Sequence, residues 1–334
     1  HINKSDDDIE DIKDYIDKGY VEILNPSNYN LLNSSPDIVV YVKPYDTIPK
    51  EFYINEIEKY VDYCIQIPYG LSPVSDEEIY RYHYQLPLHE KAWMNILYCQ
   101  EDYELACKYS KTKGKNFVLT GNPRMDLINE DYTNNKFFKE ILKKANGRKI
   151  FFYNPHHTIS DDFKWGTFKL YALDILKYFK NHNDIFLIYR PHPLLNEAIK
   201  REYKNDENFK KVYNELLKSE NILYDDTSDY LVAMKVSNYL ISDANSFVPE
   251  FTFYNKPVIY TPYPNSDKID DKKLRSILYI AKDFETIKKY IEDLSRDEDT
   301  LKDKRTKMIK KYFCYDEKET VAKKIVNKIK KEFE

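Results

Sequence analysis

The sequence predicts an α/β chain of two doubly wound domains with parallel sheets. Short apolar runs of strand length alternate with helical stretches along the chain, the pattern of parallel strands covered by helices. The pattern halts at Asn146-Gly147, a helix-ending pair, and restarts at Lys149, which sets a domain boundary at about residue 147. With 334 residues there is chain enough for two cores of ordinary size. Two such domains facing a central cleft would place a ligand between them.

Each element follows from its own run of residues. In domain 1–147 the expected order is a short amphipathic helix at 7–18, a strand at 21–24, and a clearer strand at 36–41 that ends in Lys43-Pro44-Tyr45. A strand at 63–68 leads into the turn Tyr69-Gly70, strands at 96–99 and 117–120 flank a helix at 101–110, and a helix occupies 134–147. In domain 148–334 strands are expected at 149–153, 185–189, 221–224, 239–241 and 257–260, with helices at 167–181 and near 197–218. A final helix at 318–332 carries Val321, Ile325, Val326 and Ile329 at helical spacing and is expected to pack back toward the first domain. The chain opens on His1-Ile2-Asn3-Lys4 without Met or a preceding buried strand, so it reads as part of a longer polypeptide whose first strand is missing.

Composition excludes more than it suggests. Lys and Arg number 52 against 56 Asp and Glu, a balance with no general attraction to nucleic acid or anionic lipid, and the basic run 302–311 reads as a solvated helix face. Cys64, Cys99, Cys107 and Cys314 show no CxxC or zinc spacing, which fits a reducing cytoplasm. No apolar run approaches the roughly 20 residues that span a bilayer, so membrane contact would be peripheral, at the inner face. Six glycines form neither GxGxxG nor a P-loop, which leaves phosphate binding to side chains and helix starts. The histidines lack i, i+4 spacing with an acid and no DxD ends a strand, so neither a divalent ion nor any other cofactor is expected.

Three strand ends bear chemistry. The apolar run 185–188 leads into Tyr189-Arg190-Pro191-His192-Pro193, where two prolines fix the chain so that Arg190 and His192 leave the strand in defined directions. A strand at 239–241 runs into Ser242-Asp243-Ala244-Asn245-Ser246 and then Glu250, small polar residues at a strand-to-helix turn of the kind that surrounds phosphate. The third, 149–153, leads into Asn154-Pro155-His156-His157-Thr158. Structural alternatives stand beside each: Asp243 as a helix cap, Glu250 as a first-turn acid, His156-His157 as a cap, and Arg124 as one half of an interdomain salt bridge.

These motifs, with Val118-Leu119-Thr120-Gly121-Asn122-Pro123-Arg124-Met125-Asp126, resemble in order and spacing the CDP-glycerol glycerophosphotransferase family over about 36–262. The resemblance implies a GT-B fold of two Rossmann-like domains. It implies transfer of a polyol phosphate from a CDP-activated donor, such as CDP-glycerol, to a hydroxyl of a polysaccharide, teichoic-like or lipid-linked acceptor. It places Arg190, His157, Ser242, Asp243, Asn245 and Ser246 at the donor pyrophosphate, with Glu250 near the nucleotide ribose and His192 at the leaving group. His156 and His89 stand as catalytic candidates, and Tyr69, His83 and Arg124 lie on the acceptor side. Family polymerases carry a Trp-His-Gly-Thr motif that is absent here, and His83 and His89 are its nearest substitutes. The rival readings are a GT-B glycosyltransferase using a nucleotide sugar and a non-catalytic nucleotide- or polymer-binding domain of a larger synthase.

Overall fold

The structure, a computed structural model, describes residues 31–45, 47–73, 77–159, 164–314 and 318–334. The elements expected at 7–18 and 21–24 lie outside the described residues. The chain separates into two compact units, the first ending at Leu119 and the second built chiefly from Thr120–Glu334.

The first unit holds a parallel sheet in the order β1 (Ile38–Tyr41), β2 (Tyr63–Gln66), β3 (Met94–Leu97), β4 (Phe117–Leu119). Two helices that the periodicity does not reveal, α1 (Glu77–Tyr84) and α2 (Pro87–Lys91), precede β3, and α3 (Gln100–Tyr109) follows it. The Tyr-rich segment 80–84 hides α1: Tyr80 and Tyr84, four residues apart, pack with Leu97, Ala106 and Phe117, while Arg81 and Tyr82 stay exposed.

The second unit holds a six-stranded parallel sheet, β5 (Lys149–Asn154), β6 (Ile185–Tyr189), β7 (Ile222–Tyr224), β8 (Tyr239–Ser242), β9 (Val258–Tyr260) and β10 (Tyr279–Ile280), arranged β10-β9-β8-β5-β6-β7. From β5 the chain winds outward through β6 and β7, then returns to lay β8 against the other side of β5. In open sheets that reversal is where ligands bind, beyond the carboxyl ends of the strands. Both sheet faces are covered, which is why β5 and β6 read as unbroken apolar runs. The helix α5 (Phe168–Lys180) supplies part of the cover, burying Phe168, Tyr171, Ala172, Ile175, Leu176 and Phe179 at helical spacing.

The structure corrects two details. The single helix expected near 197–218 is two, α6 (Leu195–Glu202) and α7 (Glu207–Leu216), because Asp206 starts the second by accepting the Phe209 N–H at 2.8 Å. The division between the units falls at Leu119, ahead of the expected 147, since α4 (Lys136–Ala145) packs on α8 (Tyr230–Val236) of the second unit. The last helix, α12 (Val321–Phe333), docks on the 3-10 turn Pro123–Asn129. The expected boundary puts that turn in the first domain; the contacts put it in the second unit. Asp126 accepts the Val321 and Ala322 N–H groups at 2.8 and 2.9 Å, and with the Thr320 hydroxyl, which accepts the Lys323 N–H at 3.2 Å, it holds the amino end of the helix. Among the described residues no helix is long and apolar enough to cross a membrane.

Candidate active site

The turns after β5, β6 and β8 are laced together before any ligand is considered. Asn154 and Ser242 are register partners, and the Ser242 hydroxyl donates to the Asn154 carbonyl at 2.7 Å. The Asn245 amide donates to Ser242 Oγ at 2.7 Å and faces Asn154 Oδ1 at 3.2 Å, while Asn154 Nδ2 donates to the Arg190 carbonyl at 2.7 Å. Ser242 is fully buried. Ser242 and Asn245, expected at the pyrophosphate, are thus engaged in joining the strand ends.

Asp243 is buried and works in the same way. Its Oδ1 accepts the His156 N–H at 2.9 Å and its Oδ2 the Thr167 N–H at 2.8 Å. Burial pushes its carboxyl up to about 7, against the pull of those N–H donors. Thr167, which the sequence reading passes over, also meets Thr261 through its hydroxyl at 2.9 Å. The Gly166 N–H beside it donates to Thr158 Oγ1 at 2.9 Å, and a Cβ on Gly166 would lie 2.5 Å from the Thr158 carbonyl oxygen.

On this frame stand three histidines. His156 and His157 have ring centroids 4.2 Å apart, His157 and His192 4.4 Å, and His156 and His192 5.5 Å, with Trp165 5.7 Å from His156. Nothing in the sequence marks Trp165 in advance. His156 Nδ1 accepts the Thr158 N–H at 3.4 Å and His192 Nδ1 accepts the Leu194 N–H at 3.1 Å. In His192 that bond occupies the Nδ1 lone pair, so Nε2 carries the proton and is a hydrogen-bond donor, while His156 Nδ1 also meets the Thr158 hydroxyl at 3.0 Å, a contact open to either tautomer. His157 Nδ1 is buried without a hydrogen-bond partner. Burial and the neighbouring rings hold His156 at about 3 and His192 at about 4, and burial lowers His157 as well. At neutral pH the trio is uncharged.

Arg190 points elsewhere. Its guanidinium pairs with the fully buried Asp225 at 2.9 Å and donates to the Thr227 carbonyl at 2.5 Å and hydroxyl at 3.2 Å, which ties β6 to the turn after β7. Asp225 in turn accepts the Thr227 N–H at 3.0 Å.

Ser246 precedes α9 (Phe247–Phe253) without a side-chain capping bond. Glu250, on the buried side of that helix, accepts the Tyr230 hydroxyl at 2.6 Å and lies 3.6 Å from Arg124, so Arg124 does form a salt bridge, within the second unit and not between domains. Burial pushes Glu250 up to about 7, and Arg124 opposes the rise.

The first unit holds the remaining candidates. His89 is buried in α2; its Nδ1 accepts the Leu86 N–H at 3.2 Å and its ring stacks on Phe117. This corrects the expectation of a catalytic base at His89, which serves as a cap and a core ring. Burial holds its imidazole at about 3 and that of His83 at about 4. Tyr69 is exposed after β2. Among the described residues no group of three or more His, Cys, Asp or Glu is arranged to hold a metal ion.

Comparison with known proteins places these features. A variant of the wall teichoic acid polymerase TagF soaked with CDPG shares the fold at a TM-score of 0.53 and 15% identity, over 89% of this chain and 82% of that one. A UDP-GlcNAc 2-epimerase from Neisseria meningitidis bound to UDP-GlcNAc gives 0.55 at 15% identity, over 82% and 72%. Both likenesses are of fold alone, an α/β fold of the GT-B type with two parallel-sheet domains. In sequence, a teichoic acid poly(glycerol phosphate) polymerase of Bacillus spizizenii is 26% identical over 248 residues, covering 70% of this chain and 57% of its own length. The chain thus spans less than two thirds of that relative. Residues 105–331, which include all three strand ends, match the model of one family. The chain belongs to the CDP-glycerol:poly(glycerophosphate) glycerophosphotransferase family.

Proposed function

We propose that the chain is a transferase that moves glycerol phosphate from CDP-glycerol to a hydroxyl of a teichoic-acid-type polymer and releases CMP. The observation that carries this is the meeting of His156, His157 and His192 at the β5–β8 reversal, inside the stretch that matches the family. In the transfer, the acceptor oxygen bonds to the glycerol-bearing phosphorus as the bond to the CMP oxygen breaks, and negative charge gathers on the departing phosphate. Donors fixed at that position stabilise the change most. The Nε2–H group of His192 is suited to this at the leaving group, with the His156 ring beside it.

The acceptor hydroxyl gives up its proton to one of the three uncharged imidazoles. Glu250 lies near the ribose in this reading, and Arg190 acts by shaping the β6 turn around its bond to Asp225. The acceptor side is assigned to the first unit, with Tyr69 and His83 among its residues. Neither a metal nor another cofactor is required, and work takes place in the cytoplasm with peripheral contact at the inner membrane face.

The test is product analysis with CDP-glycerol and a glycerol phosphate primer. CMP should appear with lengthening of the primer, and His156→Ala and His192→Ala should each lower turnover by more than about a hundredfold. Release of a nucleoside diphosphate from a sugar donor would instead identify a glycosyltransferase.

A further inference from the structure

Glu250 is held from two other segments of the second unit. The Tyr230 hydroxyl, from α8, donates to Oε1 at 2.6 Å, and the Arg124 guanidinium, from the 3-10 turn, lies 3.6 Å from the same oxygen. Arg124 also covers the Tyr230 ring at 5.3 Å, and Phe247 stacks on that ring at 4.8 Å. The phenol therefore has little freedom to turn, and its bond to the carboxylate is fixed before a ligand arrives. Tyr254, on the end of Glu250's own helix, is a further titratable group facing it, and burial keeps that phenol neutral through the ordinary pH range.

We propose that Tyr230 is a positioning residue, which with Arg124 keeps Glu250 ionised and leaves its Oε2 to accept from the vicinal hydroxyls of a ribonucleotide. This rests on the reading of Glu250 as the ribose contact. A hydrogen bond to a buried ionised carboxylate favours the charged form more than one in water does. Its loss therefore acts through protonation, most strongly where the carboxylate is close to taking a proton. A group that merely packs would act equally at every pH.

The experiment has two readouts. First, Glu250 is titrated in the ligand-free chain by its infrared carboxyl band, assigned through its loss in Glu250→Gln. Tyr230→Phe, which preserves both ring stacks, should move the midpoint upward, and Arg124→Met should do the same. Second, CDP affinity is measured by calorimetry across pH. Tyr230→Phe should bind about tenfold more weakly on the acid side and converge with the wild type on the alkaline side. An unmoved midpoint, or a loss of affinity that is uniform across pH, overturns the proposal. A shifted midpoint in a chain whose wild type binds no CDP at any pH supports the Tyr230–Glu250 coupling and overturns the nucleotide reading on which its functional role rests.

Discussion

Asp243 and His156 are joined through the backbone: the buried carboxylate at the end of β8 accepts the N–H of the histidine that follows β5, at 2.9 Å. The same carboxylate holds Thr167, so one side chain sets the path of the His156 segment on both sides of the histidine pair. Asp243→Ala should leave two buried N–H donors unpaired and lower stability by about 2–4 kcal/mol. Asp243→Asn retains an acceptor and should be milder. Urea denaturation of both variants checks the order.

Binding of an anionic donor should draw protons from solution. The three imidazoles are neutral at rest and the Arg190 guanidinium is already paired with Asp225. A diphosphate placed among them raises their affinity for protons. Calorimetry of CDP binding in buffers of different ionisation enthalpy should therefore show net uptake in the acid range, and affinity should weaken as pH rises above about 4. Heat independent of the buffer would mean that neutral donors alone hold the anion.

Stability should climb with pH on the acid side. His156 and His89 stay unprotonated down to about 3 and His192 and His83 down to about 4 in the folded chain. The unfolded chain binds protons from about pH 6.5 downward, so acid favours unfolding across that window. Asp243 and Glu250, raised to about 7, oppose this: the folded chain keeps protons there that the unfolded chain has released, a stabilisation lost as pH rises toward 7. Four histidines outweigh two carboxyls. Urea midpoints should rise from about pH 4.5 to 6.5, and Glu250→Gln, which removes one opposing group, should steepen the rise.

The docking of α12 should be sensitive at two points on the turn beneath it. Asp126→Ala removes the acceptor of two N–H groups at the helix start and should cost about 1–2 kcal/mol. Gly121 has φ +93° and a Cβ there would lie 2.9 Å from Val321 Cγ2, so Gly121→Ala should cost about 1–3 kcal/mol through backbone strain and contact together. Thermal denaturation, with amide exchange along α12, separates local release from global loss.

The sheet of the second unit was legible because its strands are buried on both faces and end in polar turns, so 149–153, 185–189 and 239–241 stand out without any knowledge of their neighbours. What those turns do was less legible. That Arg190 faces Asp225, and not the strand end it leaves, depends on how β6 and β7 pair, which no local pattern contains. Asn245 and Ser242 have the side chains of phosphate ligands and the surroundings of a brace, and only the register of β5 against β8 distinguishes them. His89 misleads for a related reason: a polar residue in a Tyr-rich segment gives no sign that its ring is the cap of its own short helix. The trio itself was visible as three separate histidines, while Trp165 beside it had no signal at all.

The return of the chain from β7 to β8 also has a consequence for synthesis. β5 lies at the heart of its sheet yet leaves the ribosome first, and the bond from Ser242 to Asn154 spans 88 residues. Until β8 emerges, one edge of β5 is without its neighbour and the His156 segment lacks the carboxylate that shapes it. Pairings of such sequence separation are slow to form and leave the nascent chain open to wrong partners. A chain arrested before Tyr239 would hold all three histidines and still have no finished site.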